Sequence, residues 1–318
     1  MRLAFLAVLI LSAVSFGSYV VQERRLEIRR EIVSDPIIGY RTRPSVSVDG
    51  FSTDERSMRS DPAPAADDHC ALRVVIFGDS VVFGFNLRDD ELATTRLKMA
   101  LEERLGWPVW VGNAAAGGWS PNNIRGFIER FGWFQADMIG FVLNSHDIDQ
   151  SLAIDPSVQE GAPVEIYRFR LVDWARHWLG LHMPFGWLER PIEADQYEPE
   201  QGAPKAEDVL TALFDEASRH GPTFVFHNRV IGELETDDRI NERARRARPR
   251  AARLVSLVSQ HDVDYHDLGP AMSATPGAYS DHIHLTATGQ QVLADLMIQA
   301  LIEPAAEIMK RKSKSCQS

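Results

Sequence analysis

Two distant stretches of the sequence carry residues that could together perform nucleophilic chemistry. Ser80 follows the apolar run Val74 to Phe77, and Asp281 and His284 lie far downstream, three residues apart. A serine hydroxyl is a weak nucleophile, so it needs a base that takes its proton, and the base needs a partner that fixes its tautomer. The sequence therefore predicts Ser80 as the nucleophile, His284 as the base and Asp281 as the partner of His284.

Each of these assignments has an alternative. Asp79 and Ser80 could serve only as caps of the following helix, as such residues often do. His282 is a second candidate base, but it lacks the three-residue spacing from Asp281. A solvent-exposed side chain is therefore the favoured interpretation of His282.

The elements that must position these residues are strands of a parallel sheet. Val74 to Phe77 is a short, continuously apolar run next to a glycine, which is typical of a buried strand. Ser80 then lies just past the carboxyl end of the strand, at the edge where open α/β sheets bind their ligands. A second strand, Val109 to Val111, precedes a glycine-rich stretch, and a third, Met138 to Leu143, precedes Asn144 to Asp147. The three loops are expected to share one edge of the sheet.

At these positions the sequence resembles the SGNH or GDSL hydrolases, which share a serine block, a glycine block, an asparagine block and an Asp-x-x-His block. Ser80 matches the first block, and Asp281 with His284 matches the last. The glycine block is recognisable from Gly112 to Ser120, with Ala115 where the family has a glycine. The positions of this block that match the family are Asn113, Gly118, Trp119 and Ser120.

The third block departs from the family pattern. The family's Gly-x-Asn-Asp stands here as Asn144-Ser145-His146-Asp147. An ungapped match aligns His146 with the family's asparagine, whereas Asn144 lies two residues earlier. The resemblance implies that the oxyanion is held by the N–H groups of Ser80 and Gly118 and by a third donor. His146 is favoured over Asn144 for that third position.

The resemblance also implies an activity. It implies a serine esterase that forms an acyl-enzyme on Ser80 and requires no metal or cofactor. The implied substrate is an ester-bearing small molecule, carbohydrate or lipid, for example a small acyl group on a carbohydrate of the cell envelope. Two alternatives stay open: an acyltransferase that passes the acyl group to a sugar hydroxyl, and an anchored carbohydrate-binding or assembly protein with a degenerate site.

Strands that alternate with helices predict a doubly wound, flavodoxin-like parallel sheet of about five strands with helices on both faces. The fourth strand is expected at Thr223 to Phe226, the fifth at Val263 to His266, and the last helix at Leu285 to Ile302. The predicted hydrolase domain covers residues 71–305 and includes an aromatic-rich insertion at about 150–204. This insertion could pack on the body of the domain or line the site. A basic tail should follow at 306–318.

The amino-terminal end predicts a membrane anchor at residues 1–22. Leu3 to Val21 carries no charge and is long enough to cross a bilayer as a helix, with a cleaved signal peptide as the alternative. A short charged helix, Gln22 to Val33, and an extended or partly disordered connector should fill residues 23–70. Ile38 to Arg41 and Ser52 to Arg56 resemble the lead-in of membrane-anchored family members. Four arginines after the span favour a cytoplasmic body, but the resemblance to anchored relatives favours an extracytoplasmic domain.

Charge and cysteine content limit the other possibilities. The formal net charge of -11 argues against nucleic acid as a partner, because phosphate binding needs a clustered basic surface. The two cysteines, Cys70 and Cys316, lie before the first strand and in the tail. No disulfide framework is therefore expected, and the cysteines indicate no compartment.

Overall fold

The computed structural model describes residues 32–84, 86–150, 152, 204–234 and 242–316. Its strands are, in chain order, β1 (Ile32–Asp35), β2 (Gly39–Thr42), β3 (Ser47–Val48), β4 (Phe51–Ser52), β5 (Leu72–Gly78), β6 (Val109–Ala115), β7 (Met138–Asn144), β8 (Thr223–Asn228) and β9 (Asp264–Asp267). The described helices are α1 (Ser80–Phe83), α2 (Ala93–Leu105), α3 (Pro121–Phe131), α4 (Ala206–His220), α5 (Ile231–Leu234), α6 (Glu242–Val258), α7 (Gly269–Ser273) and α8 (Ala287–Cys316). Short 3₁₀ turns lie at Asp89–Glu91 and Asp147–Asp149.

The central sheet has five strands in the order β6, β5, β7, β8, β9. Every neighbouring pair is parallel. The chain therefore leaves β5 in one direction to reach β6 and later crosses to its other side to form β7. This is the strand order of flavodoxin-like sheets, which bind ligands at the carboxyl edge where the order reverses.

The sheet is buried on both faces, because alternate residues of β5 belong to two separate apolar layers. Val74 and Ile76 pack in one layer with α2 and α8. Val75 and Phe77 pack in the other with α3, α4 and α6. Strands buried on both sides read as continuous apolar runs, which is why the sequence pattern located them. The predicted α/β sheet of five strands with helices on both faces is confirmed.

The observed strands extend beyond the predicted apolar runs at the edge where the candidate residues lie. β6 continues through Asn113 to Ala115, β7 ends on Asn144 and β8 ends on Asn228. Apolar runs mark the core of a strand, whereas the backbone ladder continues into polar residues that the surroundings can satisfy. The sheet thus delivers three buried asparagines to this edge.

The carboxyl-terminal helix is longer than predicted. α8 does not end near Ile302 but continues through Pro304 to Cys316, so the residues assigned to a tail are helical as far as Cys316. An interior proline usually ends a helix because it removes one hydrogen bond and clashes with the preceding turn. Here Ile308 and Met309 extend the buried stripe past the proline, and their burial offsets that cost.

The extension brings the two cysteines together, so the expectation that they form no disulfide is wrong. Cys70 and Cys316 are bonded, with their Cα atoms 5.7 Å apart and a sequence separation of 246. Lys312 reinforces the junction, because its Nζ lies 2.6 Å from Asp137 Oδ2 and donates to Ala71 O. A disulfide that closes so long a loop stabilises a domain by roughly 2–5 kcal/mol.

The lead-in also differs from the prediction. Ile32 and Val33 pair with β2 as part of β1, so the predicted helix Gln22 to Val33 is wrong at its end. The connector that follows β2 packs on the domain, since its Phe51 is fully buried in the core. Arg59 stacks over the ring of Phe51 and donates to the carbonyl of Phe83 at the end of α1.

Two predicted segments fall outside the described residues. The anchor at 1–22 is one, and nearly all of the aromatic-rich insertion, residues 151 and 153–203, is the other. Within the part of the chain that is described, no helix combines the length and the apolar character that a membrane span needs.

Candidate active site

The structure joins the two distant stretches into one hydrogen-bonded chain. Ser80 Oγ lies 2.9 Å from His284 Nε2 across 204 positions of sequence. His284 Nδ1 lies 2.6 Å from Asp281 Oδ2 on the same loop. A carboxylate can only accept a hydrogen bond, so Nδ1 carries the proton and Nε2 is free to accept the proton of the serine hydroxyl. The geometry therefore suits removal of the Ser80 proton by His284.

The loop that carries Asp281 is shaped by the same carboxylate. Asp281 Oδ1 accepts the backbone N–H groups of Ile283 and His284, each at 2.9 Å. Partial burial opposes ionisation, but the bonds from the backbone and the ring of His284 outweigh it and lower the pKa of Asp281 to about 2. Asp281 is therefore ionised at neutral pH.

His282 occupies a different position on this loop. Its Nδ1 lies 3.9 Å from Asp281 Oδ1, the oxygen that the backbone already uses. Its side chain is 49% exposed. The structure thus pairs His284, and not His282, with Ser80.

Ser80 is placed by a tight turn between β5 and α1. Asp79 Oδ1 accepts the N–H of Val81, so Asp79 does cap the helix as the alternative interpretation held. The hydroxyl of Ser80, by contrast, faces His284. Gly78 has to lack a side chain here, because a Cβ on it would lie 2.5 Å from Val82.

The glycine block lies beside this turn at the same edge. β6 pairs with β5 in register from Leu72 opposite Val109 to Gly78 opposite Ala115, so the loop after β6 begins level with the serine turn. Gly118 in that loop is exposed and has a positive φ of 75°, a conformation that glycine adopts without strain.

The two candidate donors of the third block, Asn144 and His146, lie in different surroundings. Asn144 is fully buried: its Nδ2 donates to Asp79 Oδ2, and its Oδ1 accepts from Asn228 Nδ2, each at 2.8 Å. His146 is 36% exposed, and its Nε2 lies 3.4 Å from Asp147 Oδ1. Asn144 is therefore committed to the interior of the site, whereas the His146 ring reaches its surface.

Asp79, His146 and Asp147 form an electrostatic cluster next to Ser80, in which the two carboxyl groups are buried and the His146 ring is partly exposed. Burial and, second, the charge of Asp147 raise the pKa of Asp79 to about 7. Burial also raises the pKa of Asp147 to about 7, although the Asn144 N–H opposes the shift. Burial lowers the pKa of His146, with the charge of Asp79 opposing. A neutral imidazole donates through one nitrogen only.

These three residues also come nearest to a metal-binding group among the described residues, since one ligand atom of each lies within 4.8 Å of the other two. Both oxygens of Asp79 and one of Asp147 already accept N–H groups. Only the His146 ring and Asp147 Oδ1 are left without such a bond, fewer than the three or four protein ligands that a zinc site uses. The cluster is therefore better suited to holding protons than a cation.

Asn228 is a site residue that the sequence analysis missed. It is fully buried and donates both to Asn144 Oδ1 and to the carbonyl of Ile283 at 3.2 Å. A chain of amide groups thus links Asp79, beside the serine, to Ile283, beside His284. The only available signal was an asparagine at the carboxyl end of the fourth strand.

Comparisons with known proteins bear on the family and the fold of the chain. A family model, the GDSL-like lipase/acylhydrolase family, matches residues 76–292. No curated protein sequence matches the chain significantly. Among solved structures, the chain is similar to the acetyl xylan esterase AlAXEase, with 16% identity, 73% of this chain and 100% of that chain covered, and a TM-score of 0.46.

Two further solved structures are similar. One is a lipase/acylhydrolase from Enterococcus faecalis, with 14% identity, 73% and 96% coverage of the two chains, and a TM-score of 0.44. The other is a catalytic mutant of an acetylxylan esterase from Geobacillus stearothermophilus, with 10% identity, 72% and 93% coverage, and a TM-score of 0.44. At these identities the likeness concerns the fold alone.

Proposed function

The chain belongs to the GDSL-like lipase/acylhydrolase family, and we propose that it hydrolyses carboxylic esters through an acyl-enzyme on Ser80. The observation that carries the proposal is the continuous chain from Ser80 Oγ through His284 to Asp281, with distances of 2.9 and 2.6 Å. This arrangement suits nucleophilic catalysis, because the base contacts the nucleophile and a third group orients the base.

The proposed reaction uses these residues in two steps. In the first, Ser80 Oγ attacks the ester carbonyl while its proton passes to His284 Nε2, and the tetrahedral intermediate then expels the alcohol, which takes that proton. In the second, His284 removes a proton from water, which attacks the acyl-enzyme and releases the acid and Ser80. Asp281 stabilises the imidazolium that forms in both steps, and its low pKa keeps it charged throughout.

The oxyanion of the intermediate is proposed to bind the N–H groups of Ser80 and Gly118 and the ring of His146. Ser80 is the first residue of α1, and the first N–H groups of a helix have no partner within it. The exposure of Gly118 and His146 supports their roles. Asn144 is better described as the residue that holds Asp79, because both ends of its amide are engaged inside the protein.

The experiment that tests the proposed activity is labelling with a serine-directed phosphonate, followed by mapping of the adduct by mass spectrometry. Phosphonates react with serines that a neighbouring base activates, so the test requires no knowledge of the substrate. We expect a single adduct on Ser80. An unlabelled protein, or an adduct confined to another serine, would contradict the proposal.

We also propose that the domain works outside the cytoplasm. The Cys70–Cys316 bond supports this location, because disulfides persist in oxidising compartments and are rare in the cytosol. Such a location would limit the substrates to esters of the cell envelope, such as small O-acyl groups on carbohydrate or lipid. Protease added outside intact inner membranes should cleave the domain; full protection would place it in the cytoplasm.

A further inference from the structure

The lead-in before the serine block contributes a residue to the candidate site. Tyr40 lies in β2, outside the residues 76–292 that match the family model, and its side chain is buried. Its hydroxyl donates to the carbonyl of Gly117 at 2.5 Å. A residue outside the family-matched segment therefore contacts the loop that carries Gly118.

The hairpin of β1 and β2 is held firmly over this loop. Trp119 Nε1 donates to the carbonyl of Tyr40 at 2.9 Å, and Asn123 Nδ2 donates to the carbonyl of Ile38 at 2.7 Å. Gly126 in α3 allows the close approach, since a Cβ there would lie 2.4 Å from the carbonyl oxygen of Ile37. Tyr40 is thus a fixed point from which the glycine loop can be oriented.

The contact controls the direction of one particular N–H group. The carbonyl of Gly117 and the N–H of Gly118 belong to the same peptide unit, which is planar and trans, so the two groups point in opposite directions. A hydrogen bond that fixes the Gly117 carbonyl toward Tyr40 therefore fixes the Gly118 N–H on the far side of the loop, away from Tyr40.

Such a constraint matters because two consecutive glycines give this peptide unit unusual freedom. Glycine populates positive and negative φ about equally, so without a restraint the unit can rotate and turn the N–H away from the substrate. The Tyr40 contact also leaves no room for a side chain at position 118, because a Cβ on Gly118 would lie 2.9 Å from the Tyr40 hydroxyl. The left-handed φ of Gly118 and the Tyr40 contact thus select one orientation of the loop.

We infer that Tyr40 is a positioning residue of the oxyanion hole: its hydroxyl orients the Gly117–Gly118 peptide so that the Gly118 N–H donates to the oxyanion. The inference rests on the proposed esterase function. It makes the lead-in a part of the catalytic unit. The family-matched segment, residues 76–292, would by itself lack this restraint on the oxyanion hole.

The test replaces Tyr40 by phenylalanine, which removes the hydroxyl and keeps the ring. Thr53→Val is the matched control, because Thr53 is a buried lead-in residue whose hydroxyl also donates to a backbone carbonyl, that of Arg43 at 2.8 Å. We expect Tyr40→Phe to lower kcat for a short-chain aryl ester by about tenfold with little change in KM, a part of the effect of losing one donor outright. Thr53→Val should leave kcat unchanged.

A second substrate separates orientation of the hole from a general loss of structure. In the thionoester analogue, sulfur replaces the carbonyl oxygen, and sulfur is a weak hydrogen-bond acceptor. The ratio of the wild-type kcat to the Tyr40→Phe kcat should therefore fall toward one for this substrate. His146→Ala, which removes the proposed third donor, is the positive control, with a loss of about a hundredfold on the ester and little on the thionoester.

Each outcome decides the inference. Unchanged kcat in Tyr40→Phe overturns it, and so does an equal loss on ester and thionoester or an equal loss in Thr53→Val. These failures leave wild-type turnover and Ser80 labelling intact, so the proposed function would survive them. A wild type that neither turns over esters nor labels at Ser80 overturns both.

Discussion

Replacing Ser80 by alanine is expected to lower kcat for a short-chain aryl ester by on the order of 10⁴-fold or more, because the variant lacks the hydroxyl on which the proposed acyl-enzyme forms. The hydroxyl lies 2.9 Å from His284 Nε2, and alanine removes this contact while keeping the backbone of the turn. The N-cap made by Asp79 does not depend on the serine side chain. The melting temperature should therefore change little, and circular dichroism should show an intact fold.

The control is Ser259→Ala, which removes a hydroxyl that only contacts the carbonyl of Ser256 on the surface of the domain. It should retain wild-type kcat. Wild-type turnover in Ser80→Ala would contradict the esterase proposal. It would mean that the ester is hydrolysed without Ser80, and that the hydrogen-bonded chain from Ser80 to Asp281 has no catalytic consequence.

The fold was predictable because its core strands are buried on both faces. The continuous apolar runs Val74 to Phe77 and Met138 to Leu143 are typical of strands buried on both faces, and both are buried strands in the structure. Once these strands are parallel, their carboxyl ends have to share an edge. The proximity of Ser80 and the glycine block therefore followed from the strand pattern alone.

The long-range contacts at the ends of the chain were not predictable in this way. Pro304 is a local signal that ends helices, whereas the burial of Ile308 and Met309 depends on a surface that only the folded domain provides. The Cys70–Cys316 bond depends on that same continuation of α8. Local propensity thus failed where tertiary packing decided the length of a helix.

The proximity of Ser80, His284 and Asp281 was predictable, whereas the groups that support them were not. Asp281 and His284 were identified by their three-residue spacing before the last helix and by their resemblance to the Asp-x-x-His block of the family. The amide chain from Asp79 through Asn144 and Asn228 crosses three strands, and no spacing rule relates residues on different strands. The structure also gives Asn144 a supporting position, which sequence alignment of the third block could suggest but not establish.

The assignment of the base rests on two histidines that the structure distinguishes sharply. Their exposure is similar, 42% for the side chain of His284 and 49% for that of His282, so solvent access does not explain a difference in function. Only His284 contacts Ser80. The backbone carbonyl of His282 accepts the N–H of Ile231, a bond that a side-chain substitution keeps. The pair therefore provides its own matched control.

His284→Ala is expected to lower kcat by a factor close to that of Ser80→Ala, and His282→Ala by no more than about twofold. A nucleophile and its base act as one unit, so removing either leaves the other without a function, and the double variant Ser80→Ala/His284→Ala should be no worse than either single variant. The measurement is kcat for the same aryl ester in the wild type and the four variants, with melting temperatures as a check on folding. A large loss in His282→Ala with a small one in His284→Ala would reassign the base. Additive losses in the double variant would show that the two residues act independently. That result would contradict the proposed mechanism, in which Ser80 and His284 act together through their 2.9 Å contact.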